Sequence, residues 1–323
     1  MSVSRGFWAV LACFPVVLAH GQQKQVAAPV AGYVFDGSAL RPIAGVPGGA
    51  SLGEAIDLPL AVKDAALSPR QDSAIVTADD GSVHLFRLSG RNATEVSWNG
   101  VARGPLQVKY SPSGTAVALS AARRIQVVGG LPDAPLLSFV AETGPPPRML
   151  AREASPAPVN LAVSDDALWL LVASGGGIRA VNSSGAGSVL LEGTRTVSMA
   201  FAPRSHSAAV LNGVTATVHR FHDVAEGAGQ AQRLPAPGFF EPVGLAFSED
   251  GKSMVAANRG ANTVRIFDFA SGAAIALECP CNPTGIARLG KLFRLTEASG
   301  PVWLVDLGAN PPRMVFVPAL ARP

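Results

Sequence analysis

The 323-residue chain has few charged side chains, few aromatic side chains and little cysteine. Charged residues make up 15% of it, well below the roughly 25% of an average soluble domain, and the net charge is only +3. The lack of a basic block, together with an aromatic fraction of 6%, argues against nucleic acid as a partner. A hydrophobic content of 48% excludes a disordered chain and predicts a folded protein with a large core.

The N-terminus lacks an apolar run long enough to cross a membrane. Arg5 precedes apolar residues 7–19, whereas a spanning helix needs roughly 20 residues. A basic residue, a short apolar run and small residues before a polar segment are typical of a secretory signal peptide. We therefore predict a signal peptide over residues 1–21, cleaved after Gly21 or, alternatively, after Ala19. The same segment would also fit an uncleaved anchor or a lipid attachment site at Cys13.

Cleavage at this site predicts an exported mature protein, periplasmic or secreted, with no stable membrane insertion. Cys13 leaves with the signal peptide, so Cys279 and Cys281 remain. An oxidising compartment allows a disulfide between them, although a bridge between residues two apart is usually strained. The alternative is a pair of small residues at a strand end. No second cysteine pair or histidine pair accompanies them, so we predict no metal site.

An internal repeat organises most of the chain. Its clearest copy covers residues 242–277 and contains four short apolar segments separated by Gly, Asn, Asp and Ser turns, at 243–247, 253–257, 263–268 and 273–277. The first segment occurs six times in all, with anchor residues at 68, 111, 164, 202, 248 and about 289. A period near 40–45 residues with four strands per unit predicts an all-β protein, a β-propeller of four-stranded antiparallel blades.

The number of blades follows less directly from the repeat. Six first-strand segments are present, but seven segments resemble the third strand, and the seventh is residues 33–36. Residues 32–45 are therefore interpreted as the last two strands of a unit. Either a seventh, partly built blade closes the ring, which we favour, or six full blades are latched by the N-terminal strands. The expected organisation is a linker over 22–31, a single propeller domain over 32–318, a tail over 319–323, and a monomer.

One repeat unit carries a family resemblance. Residues 257–277, ANRGANTVRIFDFASGAAIAL, resemble the YVTN-type β-propeller repeat, a relative of WD40 and NHL repeats, and residues 283–287, PTGIA, resemble that family's linker into the next first strand. The resemblance extends over residues 32–318, although no unit has the Trp-Asp ending of a WD40 repeat. It implies a propeller fold and, mostly, a binding or scaffolding role.

Histidines and acidic turns give no clear site. His219 and His222 are three apart, so on a strand they face opposite sides and cannot share a metal. The acidic segments Asp79-Asp80-Gly81, Asp165-Asp166 and Glu249-Asp250-Gly251 lie at hairpin positions, where backbone geometry alone favours Asp and Gly. They lack the ligand spacing of a calcium loop, so we interpret them as turns.

The last repeat differs from the others in carrying Arg288, Arg294 and Glu297 where they have small or apolar residues. Arg294 aligns with the strand residue Val255. One interpretation is an ion pair that holds the closing blade. The other is a set of polar groups at the central channel or its mouth, so these three are the candidate ligand-binding residues.

The predicted function is that of an exported, non-enzymatic binding scaffold for a protein, a glycan or a small molecule. No nucleophile elbow, phosphate-binding loop or catalytic constellation of paired carboxylates is recognised in the sequence, so we predict no catalytic residue and no cofactor. The alternatives are a propeller enzyme of the lactonase type, since such enzymes share YVTN-like repeats, and a propeller that binds a quinone cofactor.

Overall fold

The chain forms a ring of seven antiparallel sheets. The computed structural model describes residues 29–104, 106–121, 124–142, 160–174, 177–193, 195–227, 231–234, 239–297 and 302–318. These residues confirm the all-β class and the seven-bladed propeller. The predicted signal peptide and the C-terminal tail lie outside the described residues. Within the described ranges, no helix is long and apolar enough to cross a membrane.

The first three blades run in sequence order. Blade 1 consists of β1 (Val30–Phe35), β2 (Leu40–Ala44) and β3 (Ser51–Leu52). Blade 2 consists of β4 (Val62–Leu67), β5 (Ser73–Ala78), β6 (Val83–Ser89) and β7 (Asn92–Val96). Blade 3 consists of β8 (Gln107–Tyr110), β9 (Ala116–Ala121), β10 (Arg124–Gly129) and β11 (Leu136–Glu142).

The other four blades repeat the same four-stranded pattern. Blade 4 consists of β12 (Asn160–Val163), β13 (Trp169–Ser174), β14 (Gly177–Asn182) and β15 (Gly187–Glu192). Blade 5 consists of β16 (Thr196–Phe201), β17 (Ala208–Asn212), β18 (Thr217–Phe221) and β19 (Ala231–Leu234). Blade 6 consists of β20 (Pro242–Phe247), β21 (Ser253–Asn258), β22 (Thr263–Asp268) and β23 (Ala274–Glu278). Blade 7 consists of β24 (Gly285–Leu289), β25 (Leu292–Thr296), β26 (Val302–Asp306) and β27 (Arg313–Val317).

Serine side chains close the turns between first and second strands. The Oγ of Ser164 accepts a hydrogen bond from the Trp169 N–H at 2.9 Å, and the Oγ of Ser248 accepts one from the Ser253 N–H at 2.9 Å. Each hydroxyl donates in turn to the aspartate two residues on, Asp166 or Asp250. The carboxylates of these acidic turns therefore stabilise the turns themselves, as Asp side chains commonly do.

Blade 1 corrects one strand assignment. Residues 33–36 were expected to be a third strand, but residues 33–35 belong to β1, which is the first strand of its own blade, pairs with β2 and contributes Tyr33 to the central channel. The segment expected to be the last strand of the unit is β2, the second strand of this blade. β1 begins at Val30, two residues before the expected start of the propeller. A short apolar run between Gly and Asp fits any strand of a blade, so its rank in the sheet could not be inferred from sequence.

Apolar packing between blades 7, 1 and 2 closes the ring. Val34 and Ile43 of blade 1 belong to one buried cluster with Leu304 of blade 7, whereas Tyr33 and Leu40 face blade 2. Gly32 lies at this contact, and a Cβ there would be 2.5 Å from Cδ2 of Leu289, so any larger residue would force the Leu289 side chain to move. The two ends of the propeller are thus held by side chains between neighbouring sheets and by a backbone hydrogen bond of 3.2 Å from the Leu52 N–H to the Pro318 carbonyl. Blade 1 is a separate seventh sheet, so the alternative of six blades with an N-terminal latch is wrong.

Candidate functional site

A cavity of about 270 Å³ lies on the axis of the ring. Its wall is formed by residues from the first strand of every blade, β1, β4, β8, β12, β16, β20 and β24. We call this cavity the central channel. Most of its lining residues are apolar and many are alanine, because seven strands converge here and leave little room for side chains.

One position in the first strand of each blade shows how a charged side chain comes to line the channel. In blades 2 to 7 this position lies two residues before the repeat anchor. It holds alanine in five blades: Ala66, Ala162, Ala200, Ala246 and Ala287. In blade 3 it holds Lys109, which pairs with Ala118 and lines the channel. A lysine thus occupies a place that the other repeats keep small.

Arg294 lies on the second strand of blade 7, directly opposite the position just described. It pairs with Ala287, whereas the residues at its position in the other four-stranded blades are apolar: Ile75, Ala118, Leu171, Ala209 and Val255. Because Lys109 and Ala287 share one position in their blades, Lys109 and Arg294 lie at about the same level of the ring. Arg294 also lines the channel.

Arg288 is the third cation and stands at the end of β24. At its position the other four-stranded blades carry apolar or aromatic side chains: Leu67, Tyr110, Val163, Phe201 and Phe247. Its Nε and Nη1 atoms are buried and have no hydrogen-bond partner among the described residues. Arg288 borders both the channel and the larger cavity outside it.

The channel carries positive charge without a counter-charge. Lys109, Arg288 and Arg294 are the charged residues among its described lining, and no aspartate or glutamate is among them. Burial lowers the pKa of each of the three side chains; for Arg288 the carboxylates of Glu249 and Asp165 partly oppose this effect. Within the described part of the chain none of the three cations forms a salt bridge.

Two other arginines with a buried guanidinium nitrogen are stabilised by aromatic rings. Arg220 and Arg265 on the third strands of blades 5 and 6 also have an unpartnered buried Nε among the described residues. Their guanidinium carbons, however, lie 4.0 Å from the ring centre of Phe269 and 5.9 Å from that of Phe239, respectively. A cation over an aromatic face is stabilised by the ring quadrupole. The described structure gives no such ring contact for the channel cations, so their charge is left for something else to balance.

The outer cavity opens on the face where the turns between first and second strands meet. We call it the mouth; its volume is about 660 Å³ and it contains side chains of both charge signs. Asp165 joins three blades here, since its carboxylate accepts from the N–H groups of Ser113 and Arg204 at 2.7 Å each. A ring nitrogen of His206 and the carboxylate of Asp166 form a hydrogen bond of 2.7 Å. The mouth is therefore close to neutral in charge, unlike the channel behind it.

The structure separates Glu297 from the two arginines. Its carboxylate accepts a hydrogen bond from the Asn282 N–H at 2.6 Å, in a surface depression that also contains Cys281 and Trp303. Cys279 and Cys281 are joined by a disulfide in this loop, with Cα atoms 5.1 Å apart. Of the three candidate residues, only Arg288 and Arg294 lie together on the channel, and no ion pair of either holds the closing blade within the described residues.

Lys109 was missed at the level of sequence, although a signal was present. Aligning the first-strand segments on their anchors puts this lysine in a column of five alanines. The last repeat is more conspicuous, because three charged residues occur together there. As for metals, the described residues contain no group of three or more His, Cys, Asp or Glu side chains that could hold an ion.

Comparison with known proteins supports the fold and goes no further. No protein-family model and no curated protein matches the chain. The crystal structure of a functionally unknown protein from Desulfotomaculum acetoxidans superposes on it with a TM-score of 0.58 and 14% sequence identity, covering 88% of this chain and 95% of that one. It is among 1427 matching solved chains, so the chain shares a widespread propeller architecture that by itself specifies no function.

Proposed function

We propose that this protein is an exported, non-enzymatic binding protein whose central channel holds a small organic anion. The observation that supports the proposal is the set of three channel cations, Lys109, Arg288 and Arg294, with no acidic residue beside them in the described lining. Removing charge from water is unfavourable unless a partner compensates it. An anionic ligand would supply that partner.

The chemistry of the three side chains favours a carboxylate or phosphate group. A guanidinium presents paired N–H donors that match the two oxygens of a carboxylate, and an ammonium acts as a point charge beside it. The low-polarity wall strengthens these interactions, because charges attract more strongly where water is excluded. Alanine, valine, leucine and phenylalanine side chains complete the lining, so the rest of the ligand is expected to be apolar.

The size of the channel limits the ligand. Its volume of about 270 Å³ corresponds to roughly nine water molecules at about 30 Å³ each. A small mono- or dicarboxylic acid fits this space, and a folded protein domain does not. The YVTN-type resemblance supports a binding role of this kind without naming the ligand.

Anion binding can be measured by calorimetric titration of the mature protein with small dicarboxylates, inorganic phosphate and sulfate. We expect Arg294→Met to weaken the affinity for the best of these anions by about 10- to 100-fold, because a hydrogen bond to a charged group contributes roughly 1.5–3 kcal/mol. Arg124→Met, at an exposed position on β10, is the matched control and should leave the affinity unchanged.

Equal loss in both variants, or no saturable binding of any anion, would contradict the proposed channel site. Turnover of a lactone by the purified protein would favour the lactonase-type alternative instead. A visible chromophore that copurifies with the protein would favour the quinone-binding alternative.

Export is part of the same proposal. Expressed with its natural N-terminus in a secreting host, the protein is expected to be recovered with Gln22 as its first residue, or with His20 if cleavage follows Ala19. Mass spectrometry of the N-terminal peptide distinguishes the two. Recovery of the chain with residues 1–21 still attached, from the membrane or from the cytosol, would contradict cleavage.

A further inference from the structure

Lys109 differs from the other lysines of the protein in its surroundings. The chain has five, and the three others that the structure describes, Lys63, Lys252 and Lys291, are exposed. Lys109 is partly accessible and lines the channel, where it stands at the level of Arg294. A single amine thus faces a mostly apolar cavity that also contains two guanidinium groups.

We propose that Lys109 captures a small carbonyl acid, a 2-oxo acid or an aldehyde acid, as a reversible imine inside the channel. The inference rests on the proposed function, because Arg294 or Arg288 would hold the carboxylate while the carbonyl carbon meets the lysine amine. It goes beyond that function, since simple anion binding requires no bond between protein and ligand.

The surroundings of Lys109 favour the nucleophilic form of its side chain. Only the unprotonated amine attacks a carbonyl, and desolvation in an apolar pocket is one of the ways in which proteins obtain it. Burial lowers the pKa of Lys109, and no carboxylate in the described channel lining opposes this effect. A larger share of this side chain is therefore unprotonated than in an exposed lysine, while the protonated share still attracts the anion. Exposed lysines keep a pKa near 10.4 and remain protonated at neutral pH.

The condensation balances without an oxidant or a reductant. The amine nitrogen forms a bond to the carbonyl carbon, and the carbonyl oxygen leaves as water with the two protons that the amine gives up. A proton from solvent converts the imine to an iminium, and the carboxylate then balances that charge. Addition of water reverses each step and releases the ligand, so the reaction stores it and does not transform it.

Reductive trapping tests the proposal on the intact mature protein. Glyoxylate or pyruvate is added at neutral pH with cyanoborohydride, which reduces an iminium to a stable secondary amine, and modified lysines are located by peptide mass spectrometry. We expect Lys109 to be the main modified lysine, with at least tenfold less modification at Lys63, Lys252 and Lys291. The N-terminal amine also reacts with aldehydes at neutral pH because of its lower pKa, so its peptide is counted separately. Arg294→Met should lower the yield at Lys109 by about tenfold, whereas Arg124→Met should not.

Acetaldehyde, which has no carboxylate, is the chemical control and should label Lys109 far less than glyoxylate does. Lys109→Arg keeps the positive charge but cannot form an imine, so it should give no channel adduct. Equal modification of the exposed lysines, or equal labelling of Lys109 by acetaldehyde, would overturn the proposal. Absence of an adduct in a protein that still binds a dicarboxylate would overturn the imine and leave the anion site intact; absence of both would overturn both.

Discussion

Lys109→Met and Arg294→Met are each expected to raise the melting temperature of the ligand-free protein while reducing its affinity for anions. Both side chains place a charge in the channel with no counter-charge in its described lining, and burial lowers the pKa of both. Replacing a poorly compensated buried charge by an apolar side chain often stabilises a protein, here by roughly 1–2 kcal/mol. For a large domain that corresponds to about 2–4 °C per kcal/mol, which calorimetry resolves.

The two variants should respond differently to pH. The pKa of Lys109 is lowered in the folded state, so between the folded and unfolded values the unfolded chain binds more protons. Stability of the natural protein therefore rises with pH across that interval. The advantage of Lys109→Met, measured as the difference from the natural protein, should shrink between pH 7 and pH 10, whereas that of Arg294→Met should persist because arginine stays charged.

Exposed residues provide the controls for this prediction. Lys63→Met on β4 and Arg124→Met on β10 remove the same charges from solvent-facing positions and should change the melting temperature by no more than about 2 °C in either direction. If Lys109→Met or Arg294→Met instead destabilised the protein, the side chain would serve the structure. The proposal that the channel binds an anionic ligand would then lose its main support.

Most of the fold could be predicted from the sequence because the same pattern of apolar segments and turn residues occurs in several repeats. In the blade that starts at Pro242, the expected strands at 243–247, 253–257, 263–268 and 273–277 differ from the observed ones by at most one residue at each end. Turn residues and apolar runs determine where each strand begins and where it ends. In blade 1 the third strand, Ser51–Leu52, has only two residues. The blade therefore does not show the four-segment pattern of the other repeats, and residues 33–36 were wrongly interpreted as a third strand.

The site was predictable only in part, for a physical reason. Arg288 and Arg294 stood out because a charge at an apolar repeat position is unfavourable unless it is used. Glu297 stood out in the same way, but it caps a loop through the Asn282 N–H. Lys109 is likewise a charge at an apolar repeat position, in blade 3. Only the three-dimensional structure shows that Lys109 of blade 3 and the arginines of blade 7 line the same central channel.

Ring closure gives the second large expected effect: Ile43→Asp should abolish cooperative folding. Ile43 is fully buried between blade 1 and blade 7, in contact with the cluster that includes Val34 and Leu304. Removing such a side chain costs about 2–5 kcal/mol, and an unpaired carboxylate in its place adds several more. Since a domain is stable by only about 5–15 kcal/mol, circular dichroism should show no sharp thermal transition.

Val46→Asp is the matched control, because Val46 lies in the same blade and is 60% exposed; it should melt like the natural protein. Ile43→Ala should fall between the two, with a loss of about 2–5 kcal/mol. Since β1 is one of the seven strands around the channel, a ring that cannot close cannot hold the cations of blades 3 and 7 around one ligand. Anion binding should therefore disappear in Ile43→Asp and survive in Val46→Asp, and a protein that folded and bound anions with Asp at position 43 would show that blade 1 is dispensable for both.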